Sequence, residues 1–131
     1  MILSMKLTRK EFEELAVKAL KNLPKGIKKK MKNMDVVVED QASPGLLEEV
    51  GLGSPFELLG LYQGIPLDKR GFFYGNVLPD KITLFQIPIE SRCRTGDEVE
   101  EEVRRVVIHE VGHYFGLSDE RLRELENGGG E

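Results

Sequence analysis

Near the carboxyl end of the chain, two histidines, a glutamate and an aspartate stand within the eleven residues HEVGHYFGLSD, residues 109–119. On an α-helix each residue advances by about 100°, so His109 and His113 project from one face, one turn apart. Two imidazoles placed in this way reach a single zinc ion at about 2.0–2.1 Å. Glu110 stands beside His109, where its carboxylate can take a proton from a metal-activated water. The spacing therefore predicts a site with the chemistry of peptide hydrolysis.

The second half of the motif bears on a third ligand. Gly116 falls three residues after His113, where a glycine can take the left-handed conformation and end the helix. Asp119 then becomes the candidate third ligand, because a carboxylate oxygen binds zinc at about 2.0–2.2 Å. An acidic residue at this position also suits the first turn of a following helix without any metal. Glu124 and Glu126 are rivals, but they lie only 11 and 13 residues past His113, which is tight for a second helix to return.

The use of histidine in the chain supports a metal site over an ordinary helix and its cap. The chain has 2 histidines, and both stand in this motif. Three protein ligands would leave the fourth position of one zinc ion for water, and an open position of this kind is typical of a catalytic site. We therefore expect one zinc ion as the cofactor.

The elements that must position the motif are visible in the sequence. Capping boxes at LTRKEF and TGDE predict helices that begin after Thr8 and Thr95, and the second of these helices carries the motif. A β-branched run at 34–40 predicts a strand, and Ser43-Pro44 opens a short helix. The expected order is α-β-α-β-β-α-α, a small mixed α/β domain of the α+β type with helices packed against one short sheet. A polar, glycine-rich tail at 126–131 is expected to be frayed.

The substrate-binding elements are less clearly marked. SPFELLGLYQGIPL reads as a helical turn at its start and as a strand further on, whereas KITLFQIPI (81–89) is the clearest strand. Pro88 favours an edge position for this strand, where a peptide substrate could pair with it, although an ordinary sheet strand is equally consistent. Thr83 and Phe85 are then candidate substrate-binding residues, and Tyr114 is a third. Tyr114 either donates to an oxyanion or packs, and the aromatics at 72–74 either form a lip of the cleft or enter the core.

Composition limits the classes of function. With 131 residues and a net charge of −4, the chain is expected to form one domain, 1–131, that does not bind nucleic acid. The lysines between Lys25 and Lys32 are expected to be a solvated helix end or loop. Neither a membrane span nor a signal peptide is evident, so a cytoplasmic location is expected. The single cysteine, Cys93, has no cysteine to pair with and no base nearby in sequence, which makes it a poor candidate nucleophile.

The motif resembles the HExxHxxGxxH motif of the metzincin metallopeptidases, with Asp119 where a third histidine usually stands. Metzincins also place a methionine-bearing turn below the metal, whereas this chain has no methionine after Met34. The chain is more similar to the small bacterial family of minimal zincin-like metallopeptidases, through LLGLYQGIPL, LPDKITLFQIPIE and VVIHEVGHYFGLSDERL. This resemblance extends over most of residues 8–126. It implies a compact zincin-like fold and a metalloprotease site, with no known substrate.

Two hypotheses of different classes follow. The first is a zinc-dependent peptidase in which His109, His113 and Asp119 bind the metal and Glu110 acts as base and then acid, on a peptide or protein substrate. The second is a binding or regulatory module that keeps the fold without cleaving peptides. A metallohydrolase that acts on another class of substrate is a third option.

Overall fold

The computed structural model describes residues 6–64 and 80–127. The helices and strands of these ranges follow in the order α1 (Arg9–Lys21), α2 (Lys25–Lys30), β1 (Met34–Glu39), α3 (Pro44–Val50), β2 (Gly60–Gln63), β3 (Asp80–Phe85), α4 (Gln86–Glu90), α5 (Gly96–Tyr114) and α6 (Asp119–Glu126). A single 3₁₀ turn, Pro55–Glu57, precedes β2. The fold is of the α+β class, as expected, and the predicted aromatic lip at 72–74 lies outside the described residues.

The helices begin where the sequence places their caps. Thr8 accepts a hydrogen bond from the Glu11 amide, and the Glu11 carboxylate accepts one from the Thr8 amide, so α1 begins with the expected capping box. Thr95 caps α5 by accepting from the Glu98 amide at 3.1 Å. The Glu98 carboxylate accepts from the Arg94 amide instead of the Thr95 amide, so the reciprocal half of that box is displaced by one residue.

The three described strands form a mixed sheet in the order β1-β3-β2. Strand β1 pairs in parallel with β3, with Met34 opposite Asp80, and β2 pairs antiparallel with β3, with Gly60 opposite Leu84. Among the described strands β3 is therefore central. The prediction that this strand lies at an edge is wrong; among the described strands, β2 is the one that lies at an edge and contacts α5.

The wrong prediction has a local cause in Pro88. Strand β3 ends at Phe85, and residues 86–90, which the sequence pattern assigned to the strand, form the short helix α4. Pro88 is the third residue of α4, where the amide it lacks would have had no partner within the helix. The proline therefore marks a first helical turn and not a sheet edge.

The main hydrophobic core lies between the sheet, α1 and α5. Helix α1 contributes Phe12, Ala16 and Ala19, whereas Ile82 and Leu84 extend from the central strand. The buried face of α5 consists of Val99, Val103, Val106, Val107, Ile108 and Val111. Phe85 belongs to a second, smaller cluster with Ala42 and Leu47. The helix that carries the histidine motif is thus held along its length by the core.

Helix α6 packs back against α5 and contributes Leu122 and Leu125 to the main core. It extends through Glu126, one residue into the stretch expected to be frayed, and residues 128–131 lie outside the described ranges. In the part of the chain that the structure describes, none of the helices is both long enough and apolar enough to span a bilayer.

Candidate active site

The two histidines lie on the last two turns of α5, on its solvent-facing side. Their ring centroids are 5.6 Å apart and the ring planes are inclined by 70°. The neighbouring turns place Ile108 and Val111 in the core, so the helix cannot rotate to hide the histidines without exposing apolar side chains. The helical register predicted from the motif is the one observed.

Each histidine faces a carboxylate. Nε2 of His113 lies 3.0 Å from Oδ1 of Asp119, and the hydrogen bond and charge of His113 lower the pKa of the Asp119 carboxyl. Nε2 of His109 contacts Oε2 of Glu126, the last residue of α6. Two of the three candidates for the third-ligand position thus reach the site, one at each histidine. Glu124 does not take part, because its carboxylate pairs with Arg121.

The turn between α5 and α6 depends on Gly116. This glycine has φ +81°, in the left-handed region that side chains with a Cβ rarely adopt. Its amide donates to the carbonyl of His113, and the Leu117 amide donates to the carbonyl of Gly112, which ends α5. The chain therefore reverses direction immediately after the second histidine.

Gly112, within HEVGH, is the residue that the sequence analysis did not single out. A Cβ at this position would collide with Cδ2 of Leu122, which shows that α6 packs directly on the backbone of α5. The close approach brings the end of α6 back over the first histidine, although the short spacing had made such a return look tight. The available signal was a glycine inside an otherwise well-formed helix, where it costs about 1 kcal/mol relative to alanine unless packing requires it.

Glu110, the residue after His109, directs its carboxylate toward strand β2. Its Oε1 accepts a hydrogen bond from the Tyr62 amide at 3.1 Å. Burial raises the pKa of the Glu110 carboxyl above its ordinary value of 4.5, and the Tyr62 amide and the two histidines oppose that rise. The carboxylate is thereby held between α5 and strand β2.

A cavity of about 430 Å³ opens beside this carboxylate. Leu59 and Gly60 at the start of β2 form one wall, and His109 and Glu110 form part of the other, with Arg105 one turn earlier on α5. A second cavity, of about 560 Å³, lies between the start of α1 and α4, away from the histidines. The first cavity adjoins the histidine motif, whereas the lining of the second contains neither histidine.

The predicted substrate-binding residues are not brought together. Thr83 and Phe85 lie on the central strand and are 3% and 1% exposed, so neither stands at an open edge, and their contact with a substrate stays a prediction. Tyr114 is half exposed, and its ring stacks on Tyr62 with 4.0 Å between centroids. Phe115 packs edge-on against both tyrosines. Of the two roles considered for Tyr114, the structure places it in packing contacts.

The two histidines and the two carboxylates are chemically suitable zinc ligands. They form two separate pairs, His109 with Glu126 and His113 with Asp119. Within residues 6–64 and 80–127, no three histidine, cysteine or carboxylate side chains converge closely enough to enclose one ion. Imidazole and carboxylate are nevertheless ligands that zinc takes. In addition, Oε2 of Glu126 is buried and makes no hydrogen bond, although it contacts His109. A bound cation would offset the free-energy cost of burying this carboxylate oxygen.

Comparison with known proteins agrees with the family resemblance and with the fold. A sequence profile of zincin-like metallopeptidases matches residues 31–129, three quarters of the chain. The chain belongs to this family. A conserved hypothetical protein from Thermo thermophilus has a similar structure, with a TM-score of 0.51 and 23% identity over 82% of this chain and 94% of the other. At that identity the likeness supports the fold alone. The search of curated proteins gives no match.

Proposed function

We propose that this member of the zincin-like family is a zinc-dependent peptidase. The observation that carries the proposal is the position of Glu110, on the HExxH helix, between the histidine pair and the edge of β2. His109 and His113 would hold the ion together with a carboxylate, for which Asp119 and Glu126 are the candidates. When bound, zinc supplies a Lewis acid that polarises the scissile carbonyl and lowers the pKa of water.

The role of Glu110 follows from what it contacts. Its carboxylate takes a proton from the attacking water and later delivers it to the amine of the leaving peptide. The Tyr62 amide fixes one carboxylate oxygen and leaves the other for the water. Because Tyr62 belongs to β2, this hydrogen bond fixes the base relative to the strand that would align the substrate.

The substrate backbone is proposed to pair with β2. The Leu59 carbonyl accepts from the Phe85 amide, so the alternate position, Gly60, directs its backbone groups away from β3 and toward the cavity. Strand addition at this edge would place an extended peptide along the wall formed by His109 and Glu110. A Cβ on Gly60 would lie 2.5 Å from Cγ1 of Val106, so only glycine fits between strand and helix.

A non-catalytic metal-binding or regulatory module is the second candidate. The observation that favours it is the pairing of each histidine with its own carboxylate, with no three donors converging among the described residues. A hydrolase that acts on a substrate other than a peptide is a lower candidate. The expected cytoplasmic location stays a prediction.

Metal analysis and cleavage assays on Glu110→Gln test the proposal. The purified wild type and the variant are reconstituted with zinc, analysed for metal and incubated with a peptide library. The variant should retain the ion, because Glu110 is not a ligand, and lose at least about 100-fold in turnover, because the general base is gone. Glu124→Gln, the same change at an exposed position on α6, is the control and should cleave normally. Equal cleavage by the wild type and Glu110→Gln would remove Glu110 from the mechanism.

A further inference from the structure

We propose that Glu126 is a ligand of the metal ion bound by the two histidines, and that it contributes more to metal affinity than Asp119 does. The inference rests on the proposed metal site. It selects one carboxylate among the candidates for the third ligand that the sequence analysis left undecided. Four observations carry it: the burial of Glu126, its contact with His109, the anchoring of α6 and the contrasting exposure of Asp119.

The Glu126 carboxylate is largely buried, so its negative charge is stable only if a nearby positive charge or hydrogen-bond donor replaces the lost hydration. Its side chain is 15% exposed, and Oε2 is shielded from solvent with no hydrogen bond. Moving an ionised carboxylate out of water costs several kcal/mol unless a cation or hydrogen-bond donors replace the lost hydration. The contact with Nε2 of His109 directs this oxygen at the nitrogen with which that imidazole would bind an ion. A metal shared by the two atoms would supply that positive charge.

The anchoring of α6 holds the carboxylate in place. Leu122 and Leu125 are buried in the main core, and Leu122 packs on the backbone of Gly112. Arg104 of α5 donates to the carbonyls of Leu125 and Glu126, at 3.1 Å and 2.9 Å. These bonds satisfy the carbonyl end of α6 and fix the backbone of Glu126 against the helix that carries the histidines. A ligand held in this way loses little conformational entropy when it binds an ion.

Asp119 lacks these constraints. Its side chain is 75% exposed, and its one described contact through the carboxylate is with His113. Asp119 is the first residue of α6, directly after the cap Ser118, where the helix dipole stabilises an acidic side chain in the absence of metal. The position of Asp119 is thus explained by the helix start, whereas the helix end places Glu126 beside His109 and leaves Oε2 buried without a hydrogen bond.

Zinc affinity measured by chelator competition tests the inference. The proteins compared are the wild type, Glu126→Gln, Asp119→Asn, His109→Ala and the matched control Glu124→Gln on the exposed side of α6. Glu126→Gln keeps the size of the side chain and removes its charge. We expect it to weaken zinc binding at least tenfold, more than Asp119→Asn does, while Glu124→Gln binds as the wild type. In the cobalt-loaded proteins, the visible absorption spectrum should change in Glu126→Gln and stay unchanged in Glu124→Gln.

The outcomes separate the inference from the function on which it rests. Wild-type affinity in Glu126→Gln, or a larger loss in Asp119→Asn, would overturn the role of Glu126 and leave the histidine site intact. If His109→Ala and the wild type both fail to bind zinc after reconstitution, the proposed metal site itself is refuted. Circular dichroism of each variant, without metal, verifies that the affinities refer to folded protein.

Discussion

The thiol of Cys93 lies in the loop between α4 and α5, 3% exposed, and donates to the Ile89 carbonyl. Burial, reinforced by the charge of Glu102, raises the pKa of this thiol from 9.0 to about 11. The thiolate is the reactive form of cysteine, so a buried and protonated thiol is a poor nucleophile. The expectation that Cys93 is not the catalytic residue therefore agrees with its surroundings.

A pH-dependent stability follows from the raised pKa of Cys93. The unfolded chain releases the thiol proton near pH 9, whereas the folded chain keeps it to about pH 11, so the unfolded state binds fewer protons between these values. The contribution of Cys93 to stability is present below pH 9 and is lost as the pH rises toward 11. Urea unfolding of the wild type should show a steeper loss of stability between about pH 9 and about pH 11 than Cys93→Ala does. Identical pH slopes in the two proteins would contradict the prediction.

The candidate active-site residues differ in how far the sequence could predict them. The positions of His109 and His113 on one helical face follow from the helical repeat alone, and the structure has that geometry. The contact of Glu126 with His109 does not follow, because it depends on how closely α6 approaches α5. Chain spacing alone made a return over 13 residues look tight, and only the packing of Leu122 on Gly112 makes it feasible.

Helices α5 and α6 depend on each other through Gly112, which yields a prediction at the scale of elements. In Gly112→Ala the new methyl group would overlap Leu122 and push α6 away from α5. We expect a loss of about 1–3 kcal/mol in the free energy of unfolding, together with weaker zinc binding. Gly45→Ala is the matched control, because a Cβ on this glycine of α3 meets nothing within 4 Å. Urea unfolding and chelator competition measure both effects, and equal stability of the two variants would contradict the packing argument.

The strands show where pattern and structure diverge. The run KITLFQIPI is apolar throughout most of its length, and such a run fits a strand buried on both faces as well as one that alternates. Its central place in the sheet follows from pairing with β1 on one side and β2 on the other, which are long-range contacts without a local signal. The ambiguous segment LGLYQ contains β2, which lies at an edge among the described strands and packs closely on α5 at Gly60.

At the scale of the whole molecule, the class and most of the element order could be predicted, since both rest on local signals. The cap residues Thr8, Ser43 and Thr95 each begin a helix at the expected place. The arrangement of the elements around the site rests on two tight contacts, those of Gly60 with Val106 and of Gly112 with Leu122. The sequence shows that glycines stand at these two positions, but it does not show which side chains pack against them.

Because the donors come from both α5 and α6, the proposed metal site links the core helix to the last described helix. Zinc that binds the folded chain and not the unfolded chain stabilises the fold by mass action, by about 2.7 kcal/mol when its free concentration is about 100 times the Kd. We therefore expect zinc to raise the thermal midpoint of the wild type, with a smaller rise in Glu126→Gln and none in a His109→Ala/His113→Ala double variant. Differential scanning calorimetry with matched zinc and magnesium additions measures the shifts. An equal rise in the double variant would place the bound zinc elsewhere on the protein.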